Sequence, residues 1–579
     1  MLESCAADDS PSNRLVMHAM PYLAHQVLHI SITLYFMKSH LGMLKLFMEL
    51  REMIGNILRK LHTYPRLPSI MAVVVWIAGM VIGALVTFPN HYNFRTYAYD
   101  LGYVLGMFEN ISRGEFLGTV YYPGEVPHIF YAAYILGLPF YWMGGLWGVM
   151  VYQWLAIGMG ALGIYRYAQL KVGSLAWLSI LHYWGMWGIY GALSYDVHPE
   201  ILGSCLVPWI FYALETKKRI LLYILVPIAL FSKHTISIWL VFVSVFLYLY
   251  HRKDKIRKRY ALFIAIGSLA GVLISFMINS FFEHELNSTS RFTTMYKYLW
   301  SDNPINPTYY ANSLSEKVRF IMRNWYYIWV FLWESPHFSP ETVGIKSEVY
   351  LSILITGGWT ILLMPILIIP AIPVVLYKNL AHDYQVWGIL YQYNMEYAVY
   401  IPLAFVIWLS SMSERKRIYL FVLTVFASHI WLLYLMRNTV SKWYERERMV
   451  WYSHEHYTSI YNYERIHEAL ATIPDTSYVT AVSRLLPHLK PQPGRHFHLG
   501  FGIPNAESID KDSPVYIDPR TEYIVLLRSE TNSWPVKIED YYALIDYLTH
   551  SPRWRLVHDR DSLLIFRRYH TPNVSSSTG

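Results

Sequence analysis

Long apolar runs separated by short polar loops dominate the chain. A bilayer core takes about 20 apolar residues per helix. By that measure the clearest span is Leu67 to Phe88. Further spans follow near 145–165, 174–193, 200–214, 220–234, 235–250, 260–282, 350–370, 395–412 and 418–436. The run LSEKVRFIMRNWYYIWVFLW, from Leu314, fits either a span or an interfacial helix, so the pattern predicts about ten to twelve transmembrane helices. Near the start, YLAHQVLHISITLYF is interrupted by His25 and His29 and reads as an interfacial helix. After about residue 437 the pattern changes. SYVTAVS, EYIVLL and SLLIFRR are short β-type runs, and VKIEDYYALIDYLTH reads as a helix. The expected architecture is a polytopic α-helical membrane protein with a small C-terminal α/β domain. Its parts are an N-terminal cytoplasmic or interfacial segment (1–66), a transmembrane domain (67–436) with an outer loop at 89–144, and the α/β domain at 444–570.

Charge orients this arrangement. Arg51, Arg59, Lys60 and Arg66 precede the first span, and Arg166/Lys171, Lys217–Arg219, HRKDKIRKR (251–259) and Arg415–Arg417 fall on the same side when spans are counted forward. Lys and Arg mark cytoplasmic loops, so the loop after the first span and the C-terminal domain are expected outside the cytoplasm. The composition agrees: 54% of the 579 residues are hydrophobic, 17% aromatic and only 15% charged. The net charge of +8 sits in these short loops, where it sets topology and gives no reason to expect nucleic acid. Cys5 and Cys205 are too few for a disulfide framework or a CxxC metal site. The acidic start MLESCAADDSPSN lacks the cationic region of a signal peptide.

Three polar groups stand out against this background. In YAYDLGYVLGMFENISRG (97–114), Leu101, Val104, Leu105, Phe108 and Ile111 form one helical stripe, expected on the membrane surface, with Asp100 at its first turn. A second surface helix is expected after Pro127. Asp100 has two readings: a carboxylate that acts on a substrate, or a helix N-cap, for which Asp is a preferred residue. YDVHPE (195–200) sets Asp196, His198 and Glu200 between two apolar spans, where they can converge with Asp100 or form a polar turn before a helix capped by Glu200. Lys233 and His234 sit at the outer end of two further spans, where an ammonium can hold a phosphate or snorkel to the interface. Arg291, Lys297 and Arg319 are weaker phosphate candidates, and HEH (454–456) and HFH (496–498) lack a third metal ligand at a known spacing.

The order of these features resembles a known family. A span is followed by YDLG and surface helices, then by P-H-x-F (127–130), YDVHPEILGSCLVPWIFYALETKKR, IALFSKHTISIW, YQYNMEYAVYIPLAFVIW (391–408) and SYVTAVSRLLPHLKP (477–491). Over roughly 90–570 the chain looks like the predicted membrane proteins of domain of unknown function 2079, which in turn resemble the GT-C glycosyltransferases. Those enzymes often carry paired acids in the first outer loop, where this chain has Asp100 between Tyr99 and Leu101. The resemblance implies a transferase in a bacterial plasma membrane that moves a sugar from a polyprenyl-phosphate donor to an extracytoplasmic glycan, lipid or protein acceptor. It implies Asp100 as the catalytic acidic residue; Asp196, His198, Glu200, Lys233 and His234, by their placement, are the candidate substrate-binding residues. No cofactor is required by any motif, and the carboxylates leave room for a divalent metal. The alternatives are a transporter or flippase, and a non-catalytic envelope scaffold.

Overall fold

The computed structural model describes residues 66–115, 131–286, 295–311, 313–335, 342–389, 391–441, 445–492, 494–500 and 507–569. The expected helix near His25 and His29, the P-H-x-F segment and Arg291 lie outside them.

Helix α1 (Leu67–Tyr92) opens with Pro68 in its first turn, where the missing N–H leaves no bond unmade. A π-helical turn (Ala98–Gly102) runs into α2 (Tyr103–Ser112). Helix α3 (Tyr131–Val172) reverses direction at Gly145, whose φ of 53° is left-handed. A Cβ on Gly148 would fall on the Phe140 carbonyl, so the two arms of α3 touch backbone to backbone. The expected surface helix after Pro127 is therefore the first arm of a tight hairpin, and Tyr152 Oη ties it down by donating to Ala133 O at 2.8 Å.

Indole N–H groups then fix the pairing. Trp76 donates to Gly158 O and Trp154 to Met80 O, each at 2.9 Å, so the second arm of α3 runs antiparallel to α1. Helices α4 (Trp177–Trp184) and α5 (Trp187–Ser194) run back alongside α1, with Thr87 Oγ1 bonded to Leu193 O at 3.0 Å. They are followed by α6 (Pro199–Glu215), α7 (Arg219–Leu230), α8 (His234–Tyr250) and α9 (Lys255–Leu286). Next come α10 (Leu314–Arg323), α11 (Trp325–Trp333), α12 (Ile345–Ile353), α13 (Trp359–Leu363), α14 (Ile368–Asn379), α15 (Met395–Leu409) and α16 (Glu414–Asn438).

Among the described residues, four helices are by themselves long and apolar enough to cross a bilayer: Leu67–Tyr92, Ala132–Leu175, Lys255–Ile278 and Glu414–Asn438. Several of the expected spans are instead shorter helices joined at breaks, because Gly185, the π turn Leu354–Gly358 and Pro365 interrupt the apolar runs. Exposed stripes such as Ile70, Val73, Val74, Ile77 and Val81 on α1, and Leu262, Ile266, Leu269 and Leu273 on α9, face outward from the bundle. Apolar side chains belong against lipid and not against water, so this is an integral membrane protein.

The C-terminal part forms a five-stranded sheet with strand order β2-β1-β3-β5-β4, made of β1 (Val479–Ala481), β2 (His496–His498), β3 (Tyr523–Leu527), β4 (Trp554–Arg560) and β5 (Leu563–Arg568). Strand β1 pairs parallel with β2 and β3, while β5 pairs antiparallel with β3 and β4. Helices α17 (Tyr463–Leu470) and α18 (Ile538–His550) pack on it. The three β-type runs of the sequence are β1, β3 and β5. The stripe Leu101, Val104, Leu105, Phe108 and Ile111 is buried in one continuous core with Leu485, Ile524, Leu544 and Phe566. The loop after α1 and the C-terminal sheet are thus built as a single unit.

Candidate functional site

The charged loops gather at the two ends of the bundle. At one end Glu215 pairs with Lys171 (2.6 Å), His251 (3.2 Å) and Arg257 (3.7 Å), and Lys217 pairs with Asp254 (3.0 Å). These are basic loops that the charge pattern assigns to one side. The candidate residues lie at the opposite end.

The start of the helix carrying Asp100 is held from elsewhere in the chain. The first N–H groups of any helix lack internal partners. Here Asp196 Oδ2 accepts from Tyr97 N (3.0 Å) and Leu101 N (3.3 Å), and the Ser483 carbonyl accepts from Ala98 N (2.9 Å). The N-cap position is Tyr97, so Asp100 stands inside the turn and not at its cap. Asp196 adopts a left-handed φ of 41°, a conformation that Asp tolerates better than most residues. Arg448 secures it: Nη2 lies 3.6 Å from Asp196 Oδ1, and Nε and Nη2 donate to Ser194 O at 3.0 and 2.6 Å. That carbonyl ends α5 and would otherwise be orphaned. The guanidinium also lies over the rings of Tyr97 and Tyr195. Burial pushes the Asp196 carboxyl up to about 6, against the pull of Arg448 and the two amides.

Asp100 Oδ1 lies 3.6 Å from His198 Nε2. His198 is set by Gln153, whose Oε1 accepts from His198 N at 2.8 Å and whose Nε2 donates to Asp196 O at 2.5 Å. Gln392 Nε2 lies 3.4 Å from His198 Nδ1; an amide donating there assigns the ring proton to Nε2, on the side of Asp100. Glu200 is buried in the first turn of α6, with Oε2 2.9 Å from Lys233 Nζ. Glu200 also interacts electrostatically with His198, so carboxylates and nitrogen bases alternate along one chain from Asp100 through His198 and Glu200 to Lys233. His234 opens α8 beside Lys233 and is partly exposed. Beyond Lys233, Lys378 pairs with Glu396 at 2.8 Å and feels both Glu200 and Lys233. A narrow apolar cavity beside His198 is lined by Val104, Phe108, Tyr134, Gln153 and Ile201.

The other candidates separate from this group. Lys297 lies over the rings of Tyr298 and Tyr310, and Arg319 over Phe320. His456 bridges the carbonyls of Glu447 and Leu85 at 2.6 and 2.7 Å, a structural part. Among the described residues no three His, Cys, Asp or Glu side chains are grouped to hold a metal ion, so no step is routed through one.

Several residues here escape sequence reasoning. Arg95 donates to the carbonyls of Glu447, Glu455, His456 and Thr458, locking the loop to the C-terminal region. Tyr97 Oη donates to Glu445 at 2.7 Å, and Arg484 pairs with Glu530 at 2.8 Å. Burial opposes charge on Glu445, yet Arg448, Arg484 and Arg95 hold its carboxyl below the usual range. Of this group only Gln153 leaves a local trace, as a lone amide in an apolar run.

No curated protein matches the chain. Two solved structures are similar in fold, both of ArnT from Cupriavidus metallidurans. One, bound to undecaprenyl phosphate, has 12% identity and a TM-score of 0.45; the other, in the apo state, has 13% and 0.47. Each comparison covers 87% of this chain and 98% of the other. The sequence profile of the predicted membrane proteins called DUF2079 matches residues 90–564, and the chain belongs to that family.

Proposed function

We propose that the protein is a GT-C-type membrane glycosyltransferase that moves a sugar from a polyprenyl-phosphate donor to an acceptor outside the cytoplasm. The observation that carries this reading is the capping of the Asp100 turn by Asp196 and Ser483, which sets Asp100 beside His198 and not at the helix cap. Transfer needs a base for the acceptor hydroxyl and a cation for the departing phosphate. Asp100 supplies the base and takes the hydroxyl proton on its carboxylate. His198 orients it through Nε2–H. Lys233 lies at the other end of this chain of polar groups and offsets the phosphate. Asp196, with its carboxylate engaged by two amides and Arg448, acts as a positioning residue and not as a substrate contact.

A second reading, lipid-sugar flipping, has one observation in its favour. Within the bundle His182 Nε2 donates to Thr356 O at 2.7 Å, at a π turn where Gly357 has φ 104°. Buried ionisable groups at helix breaks are common in transporters. The test is the envelope glycan and glycolipid profile of a deletion strain complemented with wild type or Asp100→Asn. The transferase reading expects a missing species that wild type restores and Asp100→Asn restores at least about 100-fold less well, the scale of general-base catalysis. Full restoration by Asp100→Asn at equal abundance rejects the assignment.

A further inference from the structure

The segment from Ser313 to Trp333 has no part in the site, and its exposed face is the wrong kind for water. Ser313 and Glu316 close a reciprocal capping box that starts α10. The helix breaks at Asn324, whose side chain donates to Ser301 O at 2.9 Å, and restarts as α11. Along α10, Leu314, Val318 and Met322 recur every fourth residue and are 77, 53 and 71% exposed. Along α11, Trp325, Trp329 and Trp333 do the same at 67, 62 and 49%. The opposite face, with Phe320, Val330 and Phe331, is buried. Arg319 and Arg323 are exposed, and Lys317 lies over Trp300. The only acid of the two helices, Glu316, is occupied by the capping box and by Tyr309.

A second observation fixes the height of this face. Lys346, buried, donates to Phe331 O (2.5 Å) and Glu334 O (2.8 Å) at the end of α11, and to Asn379 O (2.7 Å) at the end of α14. Asn379 follows Lys378, which feels Glu200 and Lys233. The tryptophan stripe therefore sits at the end of the bundle that holds the site. An apolar and aromatic face with basic flanks, held at that end, matches the headgroup boundary of a bilayer.

We propose that α10 and α11 form a lipid-binding surface that lies in the headgroup layer on the site's side of the membrane and engages anionic phospholipid through Arg319 and Arg323. The surface places the Glu200–Lys233 pair near the level of the lipid phosphates. It requires none of the transfer chemistry, so it stands or falls separately from the transferase reading.

The test uses the full chain with Cys5→Ser, since Cys205 is buried, reconstituted in nanodiscs. Single spin labels are placed at Val318→Cys, Met322→Cys and Trp329→Cys, with Lys511→Cys in the C-terminal sheet region as the aqueous reference. Accessibility to oxygen and to a water-soluble nickel chelate is read for each. The expected result is an oxygen-to-nickel ratio several-fold above that of Lys511→Cys at all three sites. It is expected to be larger in phosphatidylglycerol than in phosphatidylcholine, with the lipid difference lost in Arg319→Gln/Arg323→Gln. Nickel access equal to Lys511→Cys overturns the proposal, because the face then meets water. Nickel protection with dipolar broadening between labelled copies also overturns it, because a second copy then covers the stripe. A ratio independent of lipid charge rejects the anionic headgroup.

Discussion

Glu200 and Glu215 stand at the two ends of one helix, α6, and the fold treats them differently. Glu215 is the last residue, where a negative charge opposes the helix dipole. Lys171 from one loop and His251 and Arg257 from another gather on it, and Arg257 Nη2 also donates to its backbone carbonyl at 2.8 Å. Glu200 lies in the first turn, where the dipole favours it. Among the described residues it has a single close cation, Lys233, and its buried Oε1 has no side-chain hydrogen-bond partner. A carboxylate saturated with donors ties loops together. A buried carboxylate with an acceptor site in reserve has room for one more donor.

The strongest way to break this comparison is through the scaffold under the site. Arg448→Met leaves Asp196 buried without its cation and the Ser194 carbonyl without its donors. The expected loss is about 3–5 kcal/mol, as for breaking a buried ion pair, read as a large fall in the unfolding midpoint of the purified protein. A variant as stable as wild type would mean that Arg448 does not hold the loop. The two glutamates come next. Glu200→Gln is expected to lower complementation about 10–100-fold at matched abundance, the weight of one charged hydrogen bond. Glu215→Gln is expected to lose about 1.5–3 kcal/mol of stability while leaving function per folded molecule unchanged. The reverse pattern would overturn the comparison.

The smallest effect concerns pH. His488 stacks on His91 at 4.1 Å, meets His467 at 3.0 Å through Nδ1, and is bordered by Phe94 and Tyr463. Burial, with His91 and His467 beside it, holds His488 well below its ordinary value of 6.5. The unfolded chain then takes up a proton below that value that the folded chain refuses. Stability is full above pH 6.5 and falls as pH drops. One such histidine amounts to about 1.4 kcal/mol between pH 7.5 and 5.5. His488→Phe should flatten the pH dependence of the unfolding midpoint by that amount, and an unchanged slope would place the titration elsewhere.

Much of this was legible in the chain. Apolar runs located the helices, and charge clusters grouped the loops that meet at Glu215. Asp100, His198, Glu200 and Lys233 stood out because polar groups between apolar spans have few ordinary reasons to be there. The helix breaks were harder to read, because a Gly or Pro inside an apolar run leaves the hydropathy intact while shortening the helix. Strand β4, WRLVHDR, was hidden by its exposed side chains, and β2 by its length of three residues. Arg448 and Arg95 could not be read, because their partners lie 254 and more than 350 residues away. No local period records such pairs.

The common core of the Asp100 loop and the C-terminal sheet bears on how the molecule is made. The loop leaves the ribosome just after the first span, but Arg484, which donates to the Phe94 carbonyl, follows 390 residues later, with Ser483 and the strands that bury the apolar stripe. Until then the turn around Asp100 lacks both its core and part of its cap. A nascent chain that ends before the sheet can insert its helices and still hold no assembled turn around Asp100.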